Sequence, residues 1–216
     1  MSRPISDRRS RKRLATRQAI SDAATRLFME RGFDRVTVDE IAEAADVGRM
    51  TVFNHFPRKE DMYFDREHEA RDIAFEAIRS RHPATSPIQA LGELAHRMAE
   101  QNEPGFPLFA DIQAFVETAL ASEALKARAR QMRDDFIRAL AAVLGEAADR
   151  SSDDAVAYLA AGLIASAWTT AFVRAHAQLS ETGNAEAAKG TFLDLIDRGV
   201  RGTHAALADT PYAAGY

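Results

Sequence analysis

The stretch Thr37-Val38-Asp39-Glu40-Ile41-Ala42-Glu43-Ala44-Ala45-Asp46-Val47-Gly48-Arg49-Met50-Thr51-Val52-Phe53-Asn54-His55-Phe56 decides how this chain folds. Thr37 through Glu40 spell a capping box, in which hydroxyl and carboxylate satisfy orphan backbone donors at a helix start. Ile41, Ala42 and Ala45 then face inward. Asp46-Val47-Gly48 reads as a tight turn. Asp46 stands where glycine would be easiest, and aspartate is among the few other residues that tolerate a left-handed backbone. Gly48 sits at the N-cap of a further short helix, Arg49 to about His55. Ala42 must be small because the two helices cross closely, and Ile41, Val47 and Val52 fill the space between them. Helix, turn and helix in this spacing is the geometry that presents a second helix to the DNA major groove.

Outward from this motif the chain reads as nearly all helix. A helix over Leu14–Arg31 precedes it, with Ile20, Ala24, Leu27 and Phe28 on its apolar face and Gly32 as its stop. Pro57 breaks the chain after it. Helices are then expected over Arg58–Arg79, Pro87–Gln101, Leu108–Leu120, Glu123–Leu144, Asp153–Gln178 and Ala185–Leu207, with a frayed tail after Asp209. The fold class is all-α: an N-terminal three-helix DNA-binding domain of helix-turn-helix type and a C-terminal helical domain. The boundaries read as a basic flexible tail at 1–13, the helix-turn-helix domain at 14–60 and the C-terminal domain at 61–216.

Charge is divided along the same line. Residues 1–60 hold 13 Lys and Arg against 9 Asp and Glu, whereas residues 61–216 hold 15 against 23. A basic head on an acidic body is what is expected when one end meets phosphate. The sharpest part is the start, where Arg3, Arg8, Arg9, Arg11, Lys12, Arg13 and Arg17 face a single acid, Asp7. The chain has no cysteine, which excludes disulfides, thiolate metal sites and cysteine nucleophiles, and a reducing cytoplasm fits. The N-terminus lacks the apolar stretch of a secretory signal. The longest apolar run, Ala155–Val173, is interrupted by Gly162, Ser166, Thr169 and Thr170, and reads as buried helix and not as a membrane span.

Enzyme signatures are missing: there is no glycine-rich phosphate loop, no HExxH and no GxSxG. Asp65, His68 and Asp72 share a helix face, but such spacing fits a solvated face with local ion pairs better than a metal site, and no metal or cofactor is expected. The other readings of the basic head are a DNA-binding protein without sequence preference, with steep salt dependence, or a helical enzyme that leaves the head unexplained.

Three pieces together resemble the DNA-binding domain of the TetR (tetracycline repressor) family of bacterial regulators. They are Ala-Ile-Ser-Asp-Ala-Ala-Thr-Arg-Leu-Phe-Met-Glu-Arg-Gly-Phe at 19–33, Thr-Val-Asp-Glu-Ile-Ala-Glu-Ala-Ala-Asp-Val at 37–47 and Thr-Val-Phe-Asn-His-Phe-Pro-Arg-Lys-Glu-Asp-Met at 51–62. The resemblance implies a dimer on double-stranded DNA, with the helix from Arg49 in the major groove and Arg49, Met50, Thr51, Phe53 and Asn54 as its contacts; His55 either joins them or closes the helix by bonding backbone. Arg49 suits guanine O6 and N7; Met50 and Thr51 suit a thymine methyl. By the same resemblance Lys59 and Thr37 are placed to meet phosphates. The chain departs from the family where tyrosine is frequent and Phe53 stands, which removes a hydroxyl contact, and at Asn54, where an aromatic is frequent.

For the C-terminal region the resemblance implies a homodimer interface and a site for an unidentified small-molecule effector, whose binding releases the DNA. The last two long helices carry small residues densely (Ala157, Ala160, Ala161, Gly162, Ala165, then Ala187, Ala188, Gly190), which suits a close interface between helices. Phe106, Phe109, Phe115, Trp168 and Phe172 are candidate walls of an apolar pocket, with His176 as its polar handle.

Overall fold

The computed structural model describes residues 5–101 and 110–214. Among them are ten α-helices and no strand: α1 (Ile5–Arg31), α2 (Val38–Ala44), α3 (Arg49–His55), α4 (Lys59–Tyr63), α5 (Glu67–Arg79), α6 (Pro87–Gln101), α7 (Ala110–Ala121), α8 (Glu123–Ala147), α9 (Ala155–Thr182) and α10 (Ala185–Ala206). The chain forms two compact units. One comprises residues up to 67 together with 114–128; the other comprises 68–113 and 129 onward.

The helices follow the sequence expectation to within four residues at their ends, apart from two larger differences. α1 starts at Ile5, not Leu14. Nothing from Ser6 to Arg13 breaks a helix, and Arg and Lys are good helix formers, so the basic stretch continues the helix. The span read as one helix from Arg58 is divided by a turn at 64–66. Met62 and Tyr63 are buried and Phe64 packs against the same cluster. Three consecutive side chains span roughly 200° around a helix, more than one buried face takes, so the chain leaves helical geometry there.

The first unit closes around Ile20, Ala24, Phe28, Phe33, Ile41, Val52, Phe56, Met62 and Tyr63. Its second segment was not legible in the sequence. Phe115 stacks on Tyr63 with ring centroids 4.2 Å apart, and the Tyr63 hydroxyl donates to the Phe115 carbonyl. Leu125 is fully buried, worth about 1.5–3 kcal/mol. Ser122 Oγ donates to Asp34 at 2.8 Å, and Arg128 Nε donates to Asp61 at 3.0 Å.

In the second unit α9 and α10 form a hairpin. Gly183 takes the left-handed conformation that ends α9, with φ 65°, and Asn184 opens α10 by accepting from the Ala187 amide at 3.0 Å. Asp154 caps the start of α9 through the amides of Val156 and Ala157. These amides, Val156 first, and the Tyr212 hydroxyl hold its carboxyl below the usual carboxylate range. That hydroxyl donates at 3.0 Å, and Tyr212 is buried, so the tail after Asp209 is packed where the sequence reading has it frayed.

α9 is, by length and composition, apolar enough to cross a membrane. It is not the wholly buried helix the sequence reading expects: only 33% of its most apolar window is buried. Ala157, Ala160, Ala161, Ile164 and Ala165 face inward, whereas Tyr158, Leu159, Leu163 and Val173 are exposed.

The α9–α10 crossing is tightest at Gly199, where an added Cβ would overlap the Ala167 methyl. Gly199→Ala gains about 1 kcal/mol of helix propensity but forces the helices apart, which costs about 1–3 kcal/mol. A lower thermal midpoint is therefore expected for Gly199→Ala, recovered by adding Ala167→Gly. A raised midpoint for the single variant would show that the crossing is loose.

Candidate nucleic-acid interface

Seven residues make a helix too short to persist alone, so α2 and α3 depend on caps and on burial. At α2 the capping box is complete. The Glu40 amide donates to Thr37 Oγ1 at 3.3 Å, and the Thr37 amide and hydroxyl donate to Glu40 Oε2 at 2.7 and 2.8 Å. Arg31 adds an ion pair to Glu40 at 2.6 Å. The Thr37 amide, then its hydroxyl, then Arg31 hold the Glu40 carboxyl down at about 2. A lowered folded-state value means that the box's contribution is present above the ordinary carboxylate range and lost as pH falls toward 2.

The turn follows the sequence expectation. Asp46 lies at φ 52°, in the left-handed region. The amides of Ala45, Asp46 and Val47 donate back to Ile41, Glu43 and Ala42 at 3.0–3.1 Å, so the end of α2 is closed by its own backbone. Gly48 then opens α3 from an extended conformation without a side-chain cap.

α3 has two faces. Val52 and the following Phe56 are fully buried. Arg49, Met50 and Asn54 are exposed, and Thr51, Phe53 and His55 are intermediate. Met50 stands out at 70% exposure, because a large apolar side chain is left in water at the start of a helix. The Arg49 guanidinium pairs with Asp39 at 2.6 Å and lies 5.5 Å from the centre of the Phe53 ring.

The far end of α3 is held by Arg17 of α1, a residue the sequence reading counts only as tail charge. Its Nη1 donates to the His55 carbonyl at 2.8 Å, its Nη2 pairs with Asp65, and its guanidinium lies 4.1 Å over the Phe56 ring. Partners 38 and 48 residues away leave no local signal in a sequence. Burial first, then the charges of Arg13 and Arg17, lower the His55 imidazole below its ordinary value, so it is neutral near pH 7.

Lys59 is engaged inside the protein. Its ammonium donates to the Phe33 carbonyl at 2.5 Å and lies 4.1 Å from the Phe33 ring centre. Burial lowers its affinity for the proton, against the raising charges of Asp34, Glu60 and Glu40. An ammonium has three donors, so this bond leaves capacity for a phosphate. Thr37 spends its hydroxyl and amide on the cap.

The candidate pocket residues are dispersed. Phe115 belongs to the first unit, against Tyr63. Trp168, Phe172 and His176 lie on α9 in the second unit. There His176 is buried 4.6 Å from the Phe172 ring, and Trp168 meets Phe192 edge-on at 5.8 Å. The Trp168 indole nitrogen is buried without a partner among the described residues. Phe106 and Phe109 lie outside the described residues. An open groove of about 720 Å³ between α6 and α10 contains none of these side chains; Gln89, Glu93, His96, Arg97 and Asp197 line it. No group of three or more acidic or histidine side chains among the described residues is arranged for a metal, and Asp65 of the Asp65/His68/Asp72 face pairs with Arg17.

Residues 20–65 match the family model described as bacterial regulatory proteins, tetR family. The transcriptional regulator TcmR of Streptomyces glaucescens is 32% identical over 83 residues, 38% of this chain and 37% of that protein. The matched segment thus spans little more than a third of that curated relative's length. Among solved structures, Thermus thermophilus FadR, a repressor in complex with lauroyl-CoA, superposes with a TM-score of 0.53 at 21% identity, covering 87% of this chain and 92% of that one. NalD of Pseudomonas aeruginosa, the secondary repressor of a multidrug efflux pump, gives 0.52 at 17% identity, over 86% and 95%. These likenesses extend one all-helical fold over most of the chain.

The two basic residues are expected to separate in their effects. If α3 meets DNA, Arg49→Ala is expected to relax preference at one base position by about 1–3 kcal/mol, and Lys59→Ala to weaken binding to all duplexes alike and lower the salt slope by about 1. Anisotropy on matched and mismatched duplexes reads both. Equal losses on preferred and random DNA for Arg49→Ala would reject its base-reading role.

Proposed function

We propose that this chain, whose residues 20–65 match the tetR family of bacterial regulatory proteins, is a member of that family and a cytoplasmic, effector-responsive repressor that binds a palindromic operator as a homodimer. The observation that carries the reading is α3: a short helix opened by Gly48, held at its far end by Arg17 and anchored through Val52 and Phe56, with Arg49, Met50 and Asn54 outward. Its function is binding, with no bond made or broken. α3 enters the major groove; Arg49 donates to a guanine edge, Met50 and Thr51 meet a thymine methyl, and Phe53, Asn54 and His55 contact the flanks. Lys59 and the exposed basic face of α1 meet phosphates, and Thr37 acts by starting α2. The alternative of a protein that binds DNA without preference leaves the exposed Met50 without a role.

The homodimer is supported by the outer face of α9. Leu159, Leu163, Ser166, Thr170 and Val173 follow one another at spacings of four and three and are all exposed. Such a stripe is the seam of a helical bundle, and Gly162 and Gly190 have open space around them for a partner helix. A second copy covering this stripe also accounts for an apolar helix without invoking a membrane.

Effector control is supported by the buried indole nitrogen of Trp168, which has no partner among the described residues and sits on α9 edge-on to Phe192, a polar group in an apolar setting. For release, the effector must favour the state whose two heads do not fit the operator. The solved relatives crystallised with small molecules, lauroyl-CoA in FadR and triclosan in SmeT, support a binding site in this fold.

Selection of duplexes from a randomised library by the full chain tests the reading. An inverted repeat is expected. Leu159→Arg with Leu163→Arg is expected to give a monomer by light scattering and to lose the inverted repeat while keeping weak half-site binding. A monomeric wild-type chain, or a library that yields no preferred sequence, would contradict the proposal.

A further inference from the structure

The Arg49–Asp39 pair raises a question that stability does not answer. Both side chains are more than half exposed, at 56% and 63%, and ion pairs in that setting add little to folding. The two residues stand on different helices, ten apart in sequence, so the pair is not a local helix contact. Asp39 does add acidic charge to the first turn of α2, but Glu40 already supplies it together with the cap. What the pair does is bias a long side chain toward one conformation. The guanidinium is bound at Nη1 by the carboxylate at 2.6 Å and flanked by the Phe53 ring at 5.5 Å, one turn along α3.

We infer that Asp39 is a specificity-determining residue, one that positions Arg49 for base reading and discourages contact with any other part of DNA. The inference rests on the reading of Arg49 as the base contact. An unrestrained arginine at the head of α3 reaches phosphates as readily as bases, because its charge attracts every phosphate nearby. With Nη1 held by Asp39, the Nε and Nη2 edge is the one left to donate as a pair, which is the fork that matches guanine O6 and N7. The carboxylate also brings negative charge to the surface that meets the phosphates. It therefore lowers affinity for arbitrary sequence, and the correct base repays that loss through the oriented fork.

The experiment takes the duplex preferred by the wild-type full chain and its single-base variants. Binding is measured for wild type, Asp39→Ala, Asp39→Asn, Arg49→Ala and the Asp39→Ala/Arg49→Ala double variant, with folding checked by circular dichroism. Asp39→Ala is expected to tighten binding to scrambled DNA. It is also expected to lower the preference at the position read by Arg49 by about fivefold or more. Asp39→Asn keeps an acceptor oxygen without the charge, so it tightens scrambled binding and loses less preference. The double variant is expected to show no more loss of preference than Arg49→Ala alone, a coupling that a purely structural Asp39 would not produce.

The outcomes separate the two levels. If Arg49→Ala loses preference and both Asp39 variants keep it in full, the positioning role is overturned and the base-reading role stands. If Arg49→Ala changes preference at no position, the base-reading role falls and this inference falls with it.

Discussion

Everything on the exposed side of this molecule depends on one constraint: two seven-residue helices must stay helical while one of them leaves a face open. Helices of that length do not persist in water. The chain meets the constraint with end-pinning and a small aromatic core. The Thr37–Glu40 box starts α2, the backbone closes it around left-handed Asp46, and Val52 and Phe56 anchor α3 from beneath. Phe28, Phe33 and Tyr63 fill the space behind, with Phe28 and Phe33 ring centres 4.9 Å apart. None of these contacts consumes the outward positions Arg49, Met50 and Asn54, so stability and the proposed recognition draw on different residues.

The cations of the first unit are sorted by the same economy. Arg17 ties α1 to the carbonyl end of α3 and to Asp65 in the turn before α5. Lys59 ties the start of α4 to Phe33. Arg31 reinforces the cap of α2. These residues hold parts together, while Arg49 is steadied and remains largely in solvent. A basic composition alone describes a surface attractive to phosphate; under the proposed function this division of labour gives it a reading edge.

The N-terminal motif was legible because its rules are local. The capping box, the aspartate turn and the small residue at the crossing act within a few positions of one another, so the order Thr37, Glu40, Ala42, Asp46 states the geometry directly. What stayed hidden depends on distance. Arg17 reaches across 38 positions and Ser122 across 88, and no periodicity signals that residues 114–128 complete the first unit. The split at 64–66 came from competition among Met62, Tyr63 and Phe64 for one core, which a helical pattern extending to Arg79 conceals. Tyr212 was unreadable for the same reason: its partner, Asp154, lies 58 positions earlier. The aromatic residues grouped as pocket candidates were chosen by type alone, and type does not tell Phe115 beside Tyr63 from Phe172 beside His176.

The proposed role of α3 is to read DNA sequence. The most direct measurement is fluorescence anisotropy of the full chain on the DNA upstream of its own and neighbouring genes, with scrambled duplex of equal composition as control, over a series of salt concentrations. Tight binding to one inverted-repeat segment is expected, in multiples of two chains, with a gap over scrambled DNA that persists as salt rises. Equal binding to both duplexes, vanishing together with salt, would contradict it and reduce α3 to scaffold beneath a basic surface.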